Sequence, residues 1–385
     1  MASSRRTLGV WRRRVAVAVM AMVFMVLGYT GVAVMRSPYY LPYSEGVAGA
    51  AGGAAPARRG SDTQGEAALV AEEARATTSL HEDRHAAPLV VLVLSSMPRG
   101  GSTLLVELLS TIQESVVLFE PLWFIEKIKC FEDEACLTTY LADVFSCSFK
   151  EDFETWLKGK GLFFHYFNEQ ARHCLAEKNE AKATCLKDMN LRALCAAAPV
   201  VLVKVIRARL ALLHNMLEDT LINLKVIHLT RDPRGSLNSI VRFGWNSDPQ
   251  SRCGDLEDDL KTFEKVRQVF PSRVMQVRYE QLCLAPEATT RDIFSFLYAN
   301  ATLPGPVSGF LAQHMLSGVK KKGNMSTFKN STQEFQAWRL KISENQLKVI
   351  EKEPTCQWSI KHMGHALFGS LAAANNLSLP LIINT

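Results

Sequence analysis

Past residue 36 this sequence has no net charge. Six of its 44 Lys and Arg residues lie in positions 1–36, which hold no acid, so 38 basic residues face 38 acidic ones in the rest. The overall pI of 8.8 therefore belongs to the first segment, and no nucleic-acid partner is implied. The nine cysteines include no C-x2-C pair, which argues against a zinc site. There is no internal repeat, and so no solenoid or propeller. Residues 36–87 contain few large apolar side chains, for example GVAGAAGGAAPARRGSDTQGEAA. Such a stretch cannot build a core, and it reads as a flexible stem with room for one short helix around residues 67–76.

Charge is also missing from Val15 to Met35, a 21-residue apolar run. At ~1.5 Å per residue it is long enough to cross a bilayer as a helix, and longer than the apolar part of a cleaved signal peptide. Arg5, Arg6, Arg12, Arg13 and Arg14 precede it. The expected layout is a cytosolic tail at 1–14, one transmembrane signal anchor at 15–35, the stem at 36–87 and a lumenal domain at 88–385, a single-pass type II arrangement. All nine cysteines then lie in an oxidising compartment, where disulfides form, for instance between Cys130 and Cys136. An odd count leaves at least one thiol free or bonded to another chain. N-x-S/T sequons at Asn300, Asn324, Asn330 and Asn376 fit the same side.

From Pro88 the texture is globular. PLVVLVLSS, PVVLVKVI (199–206), LKVIHLT (224–230) and RVMQVRY (273–279) are continuous apolar runs of strand length, as expected of parallel strands buried on both faces. Helical spacing separates them: Leu260, Phe263, Val266 and Val269 recur every three residues. This alternation predicts an α/β domain of three layers around a central parallel sheet. The last fifty residues read as helical and irregular.

Two loops carry the chemistry. In LSSMPRGGSTLL (94–105) an apolar strand runs through Arg99, Gly100, Gly101, Ser102 and Thr103 into a helix. Helix-start N–H groups have no internal partners and attract an anion. The glycines let backbone approach a ligand, Ser102 and Thr103 can cap the helix or donate to an oxyanion, and Arg99 offers a planar fork of donors. The loop is P-loop-like, but Gly101 stands where the P-loop has its lysine, and no magnesium-binding carboxylate follows a strand. A metal-dependent kinase is therefore disfavoured. In HLTRDPRGSLNSIVRF (228–243) a second strand ends at Arg231, with Ser239 eight residues on. Alone, this reads as a solvated turn with exposed guanidiniums.

Together the loops resemble the Golgi carbohydrate sulfotransferases, in the branch acting on the 6-hydroxyl of galactose, N-acetylglucosamine or N-acetylgalactosamine. The matching residues are the Arg99-to-Thr103 core, Arg231 with Ser239, FEPLW (119–123), RYEQL (278–282) and QAWRLKI (336–342) with Cys356, spanning about residues 89–366. Met97-Pro98 departs from that branch, which more often has an aromatic or basic residue there. The resemblance implies the sulfotransferase fold, a Golgi membrane location, a glycan or proteoglycan acceptor, and 3′-phosphoadenosine 5′-phosphosulfate as donor, with no metal. It implies that Arg99 and the N–H groups of Gly101 to Thr103 stabilise the leaving 5′-phosphate, and that Arg231 and Ser239 grip the 3′-phosphate. A homo-oligomer is allowed.

Glu120 is the candidate general base, seventeen residues after Thr103; the plainer reading is an ion pair or a turn beside Pro121. His165 in LFFHYF is the reserve, though a histidine among aromatics is more often core. His228, on a buried strand, reads as structural, and Trp338 as core. Lys204 and Arg207 end a central strand and either meet the sulfate or an anionic acceptor, or form a salt bridge. The KKKG run (320–323) reads as a solvated charge run. The alternatives are a protein-tyrosine sulfotransferase with the same donor and a non-catalytic lumenal glycan-binding protein on the same fold.

Overall fold

Five short apolar segments pair into one sheet, all parallel, in the order β2-β3-β1-β4-β5. They are β1 (Leu89–Ser95), β2 (Ser115–Phe119), β3 (Val200–Val205), β4 (Leu224–Thr230) and β5 (Val274–Arg278). The computed structural model describes residues 87–383, apart from 113, 127–129, 131–132, 317–326 and 329. The anchor, the stem, the KKKG run and Asn324 lie outside the described residues. Within them no helix is long and apolar enough to cross a membrane.

β1 shows why the runs are unbroken. Val90, Leu92 and Leu94 enter one core cluster with Leu141, Phe145 and Phe153 of the helices between β2 and β3. Val91 and Val93 enter another with Leu105, Val106, Leu108 and Leu109 of the helix Ser102–Leu109. Alternate residues of a strand point to opposite faces, so a sheet covered on both sides needs apolar residues at every position. Burying each such side chain contributes roughly 1.5–3 kcal/mol. The expected three layers are present.

Four of the five strands match the expected runs. β2, SVVLF, was not among them, because five residues after a helix of similar composition carry no period of their own. In the long helix Pro249–Val269 the stripe is Leu256, Leu260, Phe263 and Val266, while Val269 is 60% exposed at the last turn. A third cluster lies under the C-terminal segment, with Leu237, Ile240, Trp338, Leu347 and Ile360. Trp338 is core, as read. Arg339 clamps that segment by donating to the carbonyls of Ala374, Asn376 and Leu379 at 2.7, 2.7 and 2.9 Å.

Eight cysteines pair: Cys130–Cys136, as expected, with Cys147–Cys195, Cys174–Cys185 and Cys253–Cys356. Cys253–Cys356 joins the long helix to the C-terminal segment. Cys283 is the free thiol and is buried.

His228 sits in the sheet with Nε2 2.7 Å from Ser96 Oγ. Burial, and then the charge of Arg209, push its pKa down to about 3. In the unfolded chain a histidine titrates near ~6.5. Between those values the unfolded state takes up a proton that the folded state refuses, so stability falls as pH falls, by about 1.4 kcal/mol per unit. We expect the urea midpoint to drop less steeply from pH 6.5 towards 4 in His228→Gln than in wild type. Parallel curves would remove His228 from the acid limb.

Candidate active site

Parallel pairing sends the residues after Ser95, Phe119, Val205, Thr230 and Arg278 out along one edge of the sheet. In open α/β sheets this carboxyl edge is where ligands bind, at the point where strand order reverses. Here β1 is central: the chain goes from it to β2 and β3 on one side and to β4 and β5 on the other. Arg99 to Thr103, Glu120, Lys204, Arg207 and Arg231 fall on this edge or just beyond it.

The loop after β1 is bent tightly. Arg99 has φ +66° and Gly101 φ +98°. A Cβ on Gly100 would lie 2.4 Å from Ser95 Oγ, and one on Gly101 2.4 Å from the Tyr279 ring. Both glycines are thus required by space, and Gly101 also by its left-handed backbone. Gly101 is the N-cap of the helix and has no capping side chain. Ser102 and Thr103, expected as caps, are instead its first two residues, because the turn closes one residue earlier. The first N–H to find a helical acceptor is that of Leu105, on Gly101 O at 3.2 Å. The N–H groups before it are aimed off the helix start at the sheet edge.

Arg99, Arg231 and Ser239 meet. Arg99 Nε donates to Ser239 Oγ at 3.1 Å, and Arg231 Nη1 donates to Arg99 O at 2.9 Å. The Arg99 guanidinium lies 4.5 Å from the Phe243 ring centre, and that of Arg231 lies 4.3 Å from the Tyr279 ring centre. Arg99 thus reaches the second loop through Ser239. Its pKa is lowered, first by burial and then by Arg231. Arg231 Nε is buried with no hydrogen-bond partner among the described residues. Two guanidiniums held side by side with a donor unspent form a site that an anion would relieve on both counts.

The RDPR stretch is no solvated turn. Asp232 caps the helix Pro233–Val241 and accepts from Arg234 N at 2.9 Å. The Arg234 side chain is fully buried. Gly235 is small for a reason: a Cβ there would lie 2.9 Å from Trp338 and 3.2 Å from Arg231 Nε. Gly235 thus packs between Trp338 and Arg231, whose guanidinium lies over the Tyr279 ring.

Glu120 occupies the other half of the edge. It follows β2 with φ +56°, and its N–H donates to Lys204 O at 2.9 Å. A non-glycine residue in that region stores ~1–3 kcal/mol of strain, and such residues cluster at functional sites. The Glu120 side chain is 3% exposed; Oε1 is paired with Lys204 Nζ, and Oε2 accepts from Arg207 Nη1 at 2.7 Å. The ion pair foreseen for Glu120, and the salt bridge foreseen for Lys204 and Arg207, are one and the same. Lys204 is lowered by burial, with Glu120 acting the other way and Arg207 and Arg99 adding to the fall. Beside Glu120 stands half-buried Trp123, with Lys160 Nζ 5.1 Å and Arg207 Cζ 5.8 Å from its ring centre.

His165 is half-buried, on the helix Gly161–His165, with its ring against Tyr166 and its pKa lowered by burial and then by Arg172. Sequence reasoning gave no role to Tyr279 or Gly235. The usable signal for Tyr279 was its position, the first residue beyond a strand on the ligand edge. For Gly235 there was none, since the residues that require it are distant in sequence.

The family model described as "Sulfotransferase family" matches residues 91–301, a span that contains both loops, Glu120 and Tyr279. The chain is 25% identical over 346 residues to carbohydrate sulfotransferase 3 of Homo sapiens, covering 77% of this chain and 71% of that protein. It is 23% identical over 343 residues to carbohydrate sulfotransferase 3 of Tetronarce californica, covering 76% of each. Among solved structures, the sulfotransferase domain of the Synechococcus PCC 7002 olefin synthase aligns with a TM-score of 0.37 and 16% identity, over 77% of this chain and 97% of that one.

Proposed function

This chain belongs to the sulfotransferase family, and from that premise we propose that it moves a sulfuryl group from 3′-phosphoadenosine 5′-phosphosulfate to a sugar hydroxyl, the 6-hydroxyl of galactose, N-acetylglucosamine or N-acetylgalactosamine. The observation that carries this reading is the convergence of Arg99, Arg231 and Ser239 beside a glycine-built helix start. A nucleotide with phosphates at both ends matches a site with two anion-holding parts. The sugar acceptor rests on the carbohydrate sulfotransferases among the relatives.

The donor supplies the sulfuryl group, and its 5′-phosphate is the leaving group. The N–H groups of Gly101 to Thr103 face that phosphate and oppose the charge that develops on it. Arg231 and Ser239, with Arg99 drawn to them, hold the 3′-phosphate and supply positioning energy away from the reacting atoms. Glu120 accepts the proton of the attacking hydroxyl. Lys204 and Arg207 hold its two oxygens in place, and Trp123 borders the acceptor side.

We place the enzyme in the Golgi membrane, with residues 15–35 as its single anchor and the described domain in the lumen. Four disulfides support an oxidising compartment.

The test uses the full chain made in an oxidising secretory host, radiosulfate-labelled donor, and a panel of chondroitin, keratan and N-acetylglucosamine-terminated acceptors. Label is expected on glycan, and Arg99→Ala should weaken nucleotide binding roughly 10- to 100-fold, the value of a hydrogen-bonded charge. Tight donor binding without any labelled glycan would point to a protein acceptor such as tyrosine. Absence of donor binding would overturn the donor assignment.

A further inference from the structure

Tyr279 is the first residue after β5, and its side chain is buried, 7% exposed, within the cluster that holds Met97, Leu237 and Trp338. One part of its ring, Cδ2 and Cε2, lies where a Gly101 side chain would start, 2.4 and 2.8 Å from that Cβ position. Its centre lies 4.3 Å from the Arg231 guanidinium carbon. One rigid side chain therefore touches the loop assigned to the 5′-phosphate and the arginine assigned to the 3′-phosphate. The backbone beneath it is held by the sheet, where Arg278 is in register with Thr230, the residue before Arg231.

We propose that Tyr279 is a positioning residue that sets the spacing between the two phosphate sites, so that a bisphosphorylated nucleotide binds both at once. This rests on the donor assignment above. The physical basis is preorganisation. A ligand with two anchors binds tightly when the second site is already at the right distance once the first is filled. An aromatic ring has few rotamers, and the attraction between ring and guanidinium orients Arg231 as well as supporting it. The missing Cβ of Gly101 lets the loop rest directly on the ring. A smaller side chain at 279 would leave each half-site chemically intact but free to drift relative to the other.

The test is calorimetric titration of the full chain with three ligands: adenosine 3′,5′-bisphosphate, adenosine 5′-monophosphate and adenosine 3′-monophosphate. In Tyr279→Leu the bisphosphate should lose about tenfold in affinity, the value of a desolvated ring–cation contact, while each monophosphate changes by no more than about twofold, since neither spans the gap. Tyr279→Phe keeps the ring and should behave as wild type with all three. Gly101→Ala disturbs the same contact from the loop side; should Tyr279→Leu not fold, Gly101→Ala is expected to weaken the bisphosphate by more than its fold-losses for the two monophosphates multiplied together. Equal proportional weakening of all three ligands in the variant that folds would make Tyr279 a packing residue only and overturn the proposal. Wild-type chain that ignores the bisphosphate would overturn the donor assignment, and the coupling with it.

Discussion

Replacing Glu120 with glutamine is expected to lower sulfuryl transfer by about 10²- to 10⁴-fold, the usual worth of a positioned proton acceptor, while adenosine 3′,5′-bisphosphate still binds. The expectation comes from where the carboxylate stands. It lies past the end of β2, away from Arg231 and Ser239, and in the proposed mechanism takes no part in holding either phosphate. Glutamine keeps the shape and one accepting oxygen but offers an amide where Lys204 or Arg207 needs an acceptor. Lys204 then loses the partner that counters its burial, so it gives up its proton more readily and limits the structural cost. That leaves chemistry as the main loss. Lys204→Met discriminates between roles. If Glu120 only balances charge, the two variants lose activity equally and the double variant is no worse. If Glu120 takes the proton, Lys204→Met retains far more activity, because Arg207 still holds Oε2 at 2.7 Å. Equal losses, with nucleotide affinity falling in both, would make the ion pair structural.

The largest stability effect is expected from Arg234→Met, about 3–5 kcal/mol, as for breaking a buried ion pair from one side. Arg234 is 0% exposed. Its Nε and Nη2 donate to the two oxygens of Asp232 at 3.0 and 2.8 Å, and Nη1 donates to Glu351 Oε1 at 2.5 Å and to Ala366 O at 2.8 Å. Glu351 also accepts from Phe368 N and Gly369 N, and Asp232 N donates to Glu280 Oε1 at 3.0 Å. One guanidinium thus ties the start of the helix Pro233–Val241 to the C-terminal segment. Burial alone would raise the Asp232 pKa, but Arg234 and then His365 outweigh it and hold the group below the usual carboxylate value. A depressed carboxylate contributes stability at neutral pH that disappears as pH falls through its folded value. Urea unfolding at pH 7 should show the full loss in Arg234→Met, and the gap to wild type should narrow in acid. Glu351→Gln should cost less, since its oxygen still accepts. A loss below about 1 kcal/mol at pH 7 would mean that the network is balanced by its own desolvation.

The four strands read as apolar runs are strands because burial on both faces leaves no choice of residue, and burial writes itself into composition. β2 escaped because five residues hold too little pattern. The two loops at the strand ends were legible for a similar local reason: tight turns need glycine, and a helix start next to a strand end is a contiguous piece of sequence. Cys130 and Cys136 pair as their closeness suggested.

Contacts between distant segments were a different matter. That RDPR would be buried depends on Glu351, 117 residues beyond Arg234, and no window of sequence contains both. That Arg99 would turn to Ser239 depends on β1 and β4 lying side by side. That Glu120 would be shared by Lys204 and Arg207 depends on β2 pairing with β3. Residue types and local turns follow from the chain's own steric and hydrophobic rules, so the sequence by itself determined the class of fold and the two glycine- and arginine-bearing loops. Which guanidinium meets which oxygen, and which ring lies between the loops, follows from strand order. Strand order is set by packing across the whole domain, and only the tertiary structure decided it.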